Sequence, residues 1–328
     1  MGSSAGLGAN MLVTIILSFL IGFAIIYAIM AYFGLNLYEI LIATIIIFLF
    51  VWYISPKLII FSTKIRYISK EEYPQLQEMV NELAKGSKIP VPKIAMAPVR
   101  EPNTFVFGRT RLGATLVIHE GLISALSLPE LRAVIAHEIG HIKHRDFEVM
   151  TMTAFVPTLF YIIAQGILWA NFFDENEHNR SYMVFFGILA FVIHLVAESI
   201  VLPLSFSREA YADGYAVNVT KKPRDLASGM YKILYANFKT QNGSKAATSE
   251  RVFYIIDYFN VDRDMAELKN HYEDVKGLIP DMDIKSVVKG KGQSRNGTIG
   301  TLNSLFSTHP QTYKRMIWIS KESQPKTK

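Results

Sequence analysis

The chain has 328 residues, half of them hydrophobic, with a formal net charge of +6 at pH 7 and no cysteine. The lack of cysteine excludes disulfides and thiolate metal sites, so any bound metal must be held by nitrogen and oxygen atoms. The positive charge does not indicate a nucleic-acid-binding protein, because no run of aromatic residues interleaved with basic residues accompanies it.

The N-terminal region is predicted to form two membrane-spanning helices. The apolar stretches 11–33 and 38–54 contain no Lys or Arg, and each is long enough to cross about 30 Å of hydrocarbon as a helix. A cleaved signal peptide is not expected, because such peptides begin with basic residues and the first ten residues here carry no charge. Residues 1–55 are therefore predicted to be a retained transmembrane hairpin.

Two further apolar stretches, 151–173 and 182–205, are separated only by a short polar segment. Their lengths also suit membrane-spanning helices. We therefore predict a second transmembrane hairpin over 151–206, which makes four spans in total.

The basic residues predict the orientation of these spans. All of the 34 Lys and Arg residues except Arg180 lie in 55–150 or 207–328. Loops rich in Lys and Arg remain on the cytoplasmic side of a membrane. We therefore expect 56–150 and 207–328 to form the two parts of one cytoplasmic domain, in a multi-pass protein of the cell membrane.

Short strands are predicted in the first of these polar regions. A helix over 71–86 comes first, since its apolar residues recur at helical spacing. The segments KIAMAPV, NTFVFG and ATLVIHEGL then read as three strands, with RTRLG as the turn between the last two. These strands are predicted to form a small antiparallel β-ribbon. In the second polar region, 207–219 and 223–240 are predicted to be helical.

The helix after the ribbon carries a metal-binding motif. It begins with a capping box formed by Ser127 and Glu130, and it is expected to run on toward the third span. Within it lies HEIGH, in which His137 and His141 are one helical turn apart and can hold one zinc ion. Glu138 points about 100° away from these rings, so it is not a ligand and would take the proton from the attacking water.

The third metal ligand must come from another part of the chain. His144 lies about 10 Å along the helix from His137, which is too far for both to join one tetrahedral shell. The predicted second hairpin brings the residues before 151 and after 205 to the same side of the membrane, so Glu209 is the predicted third ligand. Asp213, one turn later, is placed to accept the second ring N–H of a ligand histidine. An ordinary surface charge is the alternative for Asp213.

Four segments together resemble the HtpX heat-shock membrane proteases, which are relatives of the CAAX-prenyl proteases. HEIGHIKHRD fits their HExxHxxxxD pattern, with Asp146 at the acidic position, and FSREAYAD fits the segment that supplies the third zinc ligand. THPQTYKR, 308–315, fits their THPxxxxR signature, and PNTFVFG, 102–108, resembles their PNAFATG strand. The resemblance extends over 100–320, in the same order along the chain.

This resemblance implies an α-helical integral membrane protein with a mainly α zincin-like (gluzincin) catalytic domain. It implies one zinc ion per chain and hydrolysis of internal peptide bonds, in misfolded or damaged membrane proteins. It also implies that Asp146 and Asp213 support the ligand histidines. His309 would stabilise the oxyanion of the tetrahedral intermediate, and Asn103 would lie on the edge strand that pairs with the substrate backbone. Arg315 would be structural or lie near the site.

The sequence departs from the family pattern in two places. Thr104 and Phe107 differ from the residues of the PNAFATG strand, and a long insertion occupies about 240–300. The first difference affects a strand predicted to contact substrate, and the insertion has no predicted role.

An intramembrane protease also uses an HExxH motif, but it places the motif inside a membrane span. Here Arg132, Lys143, Arg145 and Asp146 flank the motif, and each would be costly in the middle of a bilayer. The site is therefore predicted to lie outside the hydrocarbon.

Two other classes of protein remain as alternatives. A transporter or channel would use the polar residues Gln165, His194 and Glu198 of the second hairpin, although interhelical hydrogen bonds explain such residues equally well. A membrane scaffold with a structural zinc ion is the other alternative. Glu138 favours the protease, because a structural zinc site has no use for a base beside the metal.

Overall fold

The computed structural model describes most of the chain, namely residues 4–32, 34, 36–153, 160–161, 164–167, 169, 177–240, 261–279 and 310–322. Contacts within the chain divide it into two compact units. Unit 1 comprises Met1–Ser55 and Glu148–Leu204, and unit 2 comprises Pro56–Phe147 and Ser205–Lys328. The predicted assignment of four regions to membrane and cytoplasm stays a prediction.

The described residues are mainly helical. The helices are α1 Ser4–Tyr32, α2 Leu37–Thr63, α3 Pro74–Ser87, α4 Glu120–Ala125, α5 Leu128–His144, α6 Asp146–Thr153, α7 Glu177–Thr220, α8 Pro223–Thr240, α9 Val261–Asn270, α10 Tyr272–Val275 and α11 Thr312–Glu322. The strands are β1 Arg66–Tyr67, β2 Lys93–Ala97, β3 Thr104–Phe107 and β4 Thr115–His119. A short 3-10 helix, Arg111–Gly113, forms the turn between β3 and β4.

One helical stretch among the described residues, Leu37–Phe61, is long and apolar enough to cross a membrane. Its mean hydropathy is 2.3, and only 12% of its most apolar window is buried within the protein. Two shorter apolar stretches, Met11–Ala24 and Val184–Ala197, fall within the first and fourth predicted spans. Much of the third predicted span, 151–173, lies outside the described residues, so the count of four spans stays a prediction.

The strands of unit 2 form one mixed sheet in the order β1-β2-β4-β3. The prediction of an antiparallel ribbon is wrong, because β2 and β4 run parallel, with Ala97 opposite His119. Only the β1–β2 and β3–β4 pairs are antiparallel. The chain must therefore cross the end of β4 between β2 and β3, and this crossing leaves β3 at an edge of the sheet.

Gly121, at the start of α4, makes this crossing possible. Its N–H donates to the carbonyl of Val99 at 3.1 Å, and a Cβ at this position would lie 1.9 Å from the carbonyl oxygen of Arg100. The crossing chain is also tied to β4 by His119, whose Nδ1 lies 2.8 Å from the carbonyl oxygen of Glu101. The close backbone approach explains why glycine is needed at this point.

The sheet separates two hydrophobic clusters of unit 2. One face, which includes Leu116 and Ile118, belongs to the main core with residues of α3, α5 and α8. The other face, which includes Phe105 and Phe107, packs against residues at the end of α2 and in the loop after it. Both faces of the edge strand β3 are thus buried, which fixes the orientation of that strand.

The helix α5 starts as predicted but ends earlier than predicted. The capping box is confirmed, with the N–H of Ser127 donating to Glu130 at 2.8 Å. The prediction that the helix continues is wrong, because Arg145 adopts a left-handed conformation with φ 62° and a new helix begins after it. Arg111 stabilises the break by donating from Nε to the carbonyl of Ile142 at 3.2 Å and from its guanidinium to the carbonyl of Lys143.

Candidate metal centre

Two imidazoles meet on the buried face of α5. The Nε2 atoms of His137 and His141 lie 3.0 Å apart, and the two rings are nearly perpendicular, at 89°. Both residues are buried. The spacing of four residues on one helix produces this arrangement, since it places the second ring one turn above the first on the same side.

A carboxylate from α7 completes the group. The Oε2 atom of Glu209 lies 3.4 Å from Nε2 of His137, and its Oε1 atom lies 3.6 Å from Nε2 of His141. One ligand atom from each of the three residues lies within 4.8 Å of the other two. These three residues could therefore hold a metal ion.

The spacing of these atoms suits zinc. With bonds of 2.0–2.1 Å to nitrogen or oxygen, the ligand atoms of a tetrahedral zinc ion lie about 3.3 Å from one another. The two Nε2 atoms lie 3.0 Å apart, and each lies 3.4 or 3.6 Å from one of the two carboxylate oxygens of Glu209, so all three separations are close to this value. Two imidazoles and one carboxylate are also a ligand set used by catalytic zinc, which keeps a fourth position open.

Gly140 allows α7 to approach α5 closely enough for this contact. A Cβ at this position would lie 3.1 Å from Cα of Ala212, 3.2 Å from Cδ1 of Tyr215 and 3.3 Å from the carbonyl oxygen of Ala212. Ala212 lies between Glu209 and Asp213 on α7, so the two helices are closest where the carboxylates leave α7. A side chain at Gly140 would push the carboxylates away from the rings.

Each histidine is oriented by a second carboxylate. The Nδ1 atom of His137 lies 2.9 Å from Oδ1 of Asp213, and the Nδ1 atom of His141 lies 2.8 Å from Oδ2 of Asp146. Both carboxylates are fully buried. Such bonds fix the ring so that Nε2 faces the metal and increase the basicity of that nitrogen.

The break after α5 explains the position of Asp146. In a continuous helix a residue five positions after His141 would point about 140° away from it around the axis. The left-handed conformation of Arg145 redirects the chain, and Asp146 instead reaches the ring of His141. The break in the predicted helix is therefore what brings Asp146 to the ring of His141.

A buried arginine joins the carboxylates of α7. From α11, Arg315 donates to Asp213 at 2.8 Å through Nε and at 2.7 Å through Nη2, and Nη2 lies 3.1 Å from Oε2 of Glu209. Arg208 was missed by the sequence analysis, although it directly precedes Glu209. It is buried, with Nε 3.9 Å from Oδ2 of Asp146. The two guanidinium groups partly balance the buried negative charge.

Burial and ion pairs shift the pKa values of the central groups. Burial alone would lower the pKa of His137, but hydrogen bonds to Asp213 and Glu209 outweigh burial and raise it to about 9. Burial lowers the pKa of His141. The pKa of Glu138 is raised to about 8, mainly by burial; the charge of His137 opposes this shift, and the nearby Glu209 adds to it. For Asp213 burial works in the opposite direction, but Arg315 outweighs it and lowers the pKa.

The other predicted residues lie in different places. Asn103 is buried directly before the edge strand β3, where its carbonyl accepts the N–H of His119 at 3.0 Å. His309 lies outside the described residues. His144 packs edge-on against Tyr211 and Tyr215, with ring centroids 5.9 and 6.1 Å apart, and it does not belong to the three-residue group.

Comparison with known proteins decides the family. Residues 70–323, about three quarters of the chain, match peptidase family M48. The chain belongs to this family. The matched region contains all the residues of unit 2 that form the centre described above.

Relatives of this M48 peptidase carry the name predicted from the motifs. It is 37% identical over 190 residues to the "Protease HtpX homolog" of Methanothermobacter thermautotrophicus, covering 58% of this chain and 70% of that one. It is 29% identical over 329 residues to the protein of the same name from Moorella thermoacetica, covering 99% and 97%. The predicted HtpX-type metalloprotease is thus confirmed.

The chain is also similar to a solved structure. The crystal structure of S. mikatae Ste24p matches with a TM-score of 0.49 and 16% identity, over 90% of this chain and 61% of that one. This M48 peptidase therefore spans less than two thirds of the length of that protein.

Proposed function

We propose that this M48 peptidase is a membrane-bound, zinc-dependent endopeptidase. His137, His141 and Glu209 would hold one zinc ion per chain, and Glu138 would be the general base. The observation that carries this proposal is the convergence of three ligand atoms within 4.8 Å of one another. Two of them belong to α5, which also carries the buried carboxylate of Glu138 outside the ligand set.

Zinc in such a site supplies a Lewis acid that polarises the scissile carbonyl and lowers the pKa of water. Glu138 accepts the proton of the attacking water and passes it to the leaving amine. Burial raises the pKa of Glu138 to about 8, and a cation in the neighbouring ligand set would favour its carboxylate form. The residue is then ready to act as a base near neutral pH.

The second layer of the site keeps the ligands in place. Asp213 and Asp146 hold the histidine rings with Nε2 directed toward Glu209. Arg315 contacts both Asp213 and Glu209, so it holds the two carboxylates of α7 in one position. Fixed ligands and dipoles lower the barrier because they need no reorganisation during the reaction.

The substrate would bind as an extended strand along β3. This strand lies at an edge of the sheet, and its Phe105 and Phe107 are buried on one face while Val106 is buried on the other. An edge strand held in this way can pair with a peptide backbone whatever its side chains. Asn103 would lie at the start of this strand, and His309 would stabilise the oxyanion of the tetrahedral intermediate.

The chain would be anchored by four spans, with the peptidase domain on the cytoplasmic side. Supporting this, side chains such as Ile46, Leu49 and Phe50 in the stretch Leu37–Phe61 are 59–60% exposed, as expected for contact with lipid. The substrates would be misfolded or damaged membrane proteins, and the activity would serve protein quality control during stress.

The deciding experiment is the substitution Glu138→Gln in the full chain, purified in detergent. Cleavage of an unfolded membrane protein should be lost, while the zinc content measured by elemental analysis should remain one ion per chain. The matched control is Glu78→Gln, which changes an exposed carboxylate of α3 and should cleave normally. A chelator should stop cleavage by the wild-type protein. Full cleavage by Glu138→Gln would overturn the mechanism.

A further inference from the structure

The segment at about 240–300, which was predicted to be an insertion without a role, contains a helix that contacts the arginine-bearing helix α11. This helix is α9, Val261–Asn270. Its apolar residues Val261, Met265 and Leu268 are fully buried in the main core of unit 2, which also contains Met316 and Ile319 of α11. The insertion is therefore part of the peptidase core, at least over this helix.

Asp264 of α9 caps the start of α11. Its side chain is buried, and its Oδ2 atom accepts the N–H of Thr312 at 3.1 Å and the hydroxyl of Thr312 at 2.7 Å. Thr312 is the first residue of α11, where backbone N–H groups have no partner within the helix. A capping oxygen usually comes from the residue before the helix, whereas here it comes from another helix.

The capped end is directly connected to the metal centre. Thr312 and Arg315 are about one turn apart on α11, and the guanidinium of Arg315 contacts Asp213 and Glu209. A displacement of the start of α11 would therefore act on Arg315 and, through it, on the carboxylates of α7.

We propose that Asp264 is a positioning residue of the peptidase, which fixes the start of α11 and thereby sets Arg315 for the reaction. This inference rests on the proposed function, since it assigns Asp264 a role in the same site. Asp264 acts through Thr312. The insertion thus supplies a contact on which the peptidase centre depends.

Four variants separate this role from simple folding. Asp264→Ala removes the cap, whereas Asp264→Asn keeps one oxygen that can accept both hydrogens of Thr312. Thr312→Val removes only the hydroxyl, and Thr312→Ser keeps it. Asp262→Ala, which changes an exposed carboxylate on the same helix, is the control.

The activity of each variant should depend on whether it keeps the hydrogen bonds between Asp264 and Thr312. In the zinc-loaded full chain, Asp264→Ala should lower kcat on the order of tenfold to a hundredfold with little change in KM, because a small misplacement of reacting groups has effects of this size. Thr312→Val should show a smaller loss. Asp264→Asn and Thr312→Ser should keep most of the activity, and the control should match the wild type. A folded, zinc-loaded Asp264→Ala protein with wild-type kcat would overturn the proposal, as would equal losses in the Ala and Asn variants.

A second readout does not depend on proteolysis. Amide hydrogen exchange over 310–322 should be faster in Asp264→Ala and Thr312→Val than in the wild type, while exchange in α5 is unchanged. If the wild type fails to cleave peptides but this exchange pattern is found, the proposed function fails and the capping role stands. Unchanged exchange in both variants would overturn the capping role even in an active enzyme. Thr312→Val keeps the test available if Asp264→Ala does not fold.

Discussion

At the scale of single residues, His137 and Glu138 determine the proton balance of metal binding. The pKa of His137 is raised to about 9 and that of Glu138 to about 8, so the metal-free protein holds both protons at neutral pH. Zinc binds only the neutral imidazole, and a cation beside Glu138 favours its ionised form. We therefore expect zinc binding at pH 7 to release about two protons, which makes zinc affinity rise with pH.

This proton release is measurable by titration calorimetry in buffers of different ionisation enthalpy. The variant Glu138→Gln cannot release the second proton, so it should release about one fewer than the wild type. In both proteins the gain in affinity should level off above about pH 9, where His137 is already neutral. Affinity that does not change between pH 7 and pH 8.5 would contradict the raised pKa of His137.

Asp213 contacts both His137 and Arg315, so the order of the centre depends on it. The change Asp213→Asn keeps the shape but removes the charge that holds the imidazole and the guanidinium. Loss of such an outer partner lowers metal affinity roughly 10- to 100-fold. Competition with a chromophoric chelator measures this loss, and Asp262→Asn, on the surface of α9, should show none.

At the scale of elements, the close packing of α5 and α7 at Gly140 controls the distance between the imidazoles and Glu209. The change Gly140→Ala places a Cβ 3.1 Å from Cα of Ala212, and the backbone cannot rotate away as a side chain could. We expect the helices to separate slightly, with weaker zinc binding and a lower melting temperature. Thermal unfolding with and without zinc tests both effects.

Gly86→Ala is the matched control, since Gly86 also lies in a helix but its Cβ would meet nothing within 4 Å. Alanine there should stabilise the protein by about 0.4–1 kcal/mol by restricting the unfolded chain. If both substitutions have the same effect, packing at Gly140 does not set the geometry of the centre.

Helices and strands could be predicted wherever the information is local. The motif spacing on α5 and the capping box of Ser127 and Glu130 depend on neighbouring residues, and the structure contains both. The order of strands depends on where the chain crosses β4, which hydrophobic alternation does not report. The break at Arg145 could not be predicted either. Arginine rarely adopts a left-handed conformation, and the hydrogen bonds that stabilise the break come from the distant Arg111.

Contacts between residues far apart in the sequence were the hardest part of the site to predict. The predicted second hairpin suggested Glu209 as a partner of the HEIGH histidines, and the family resemblance suggested that Arg315 lies near them. Nothing in the local sequence marks Asp264, whose partner Thr312 is 48 positions away. Its capping role follows only from the fold.

At the scale of the whole molecule, a metal held by His137, His141 and Glu209 would join elements from both halves of unit 2, so its removal should destabilise the fold. Ligand binding at a hundred times Kd stabilises a protein by about 2.7 kcal/mol. Dialysis against a chelator should therefore lower the melting temperature, and zinc should restore it. Calorimetric scans of the full chain in detergent measure the difference.

The difference in melting temperature between the zinc-loaded and the zinc-free protein should grow with pH. The folded pKa of His137 is about 9 against an ordinary 6.5, so its stabilising effect on the metal-free protein is complete below about 6.5 and is lost as the pH rises through 9. Glu138 has a folded pKa of about 8 against an ordinary 4.5, so the stability of the metal-free protein also falls as the pH rises from 4.5 to 8. The gain in melting temperature on adding zinc should thus be larger at pH 8.5 than at pH 6.5. A larger gain at the lower pH would refute these shifts.

The parts of the metal centre are also separated in the order of synthesis. A ribosome makes His137 and His141 first, Glu209 only after the apolar stretch 182–205, and Arg315 later still. A growing chain therefore carries two imidazoles without the carboxylate that completes the ligand set. If these residues form the active centre as proposed, peptide cleavage cannot begin until the distant segments have been translated and brought together.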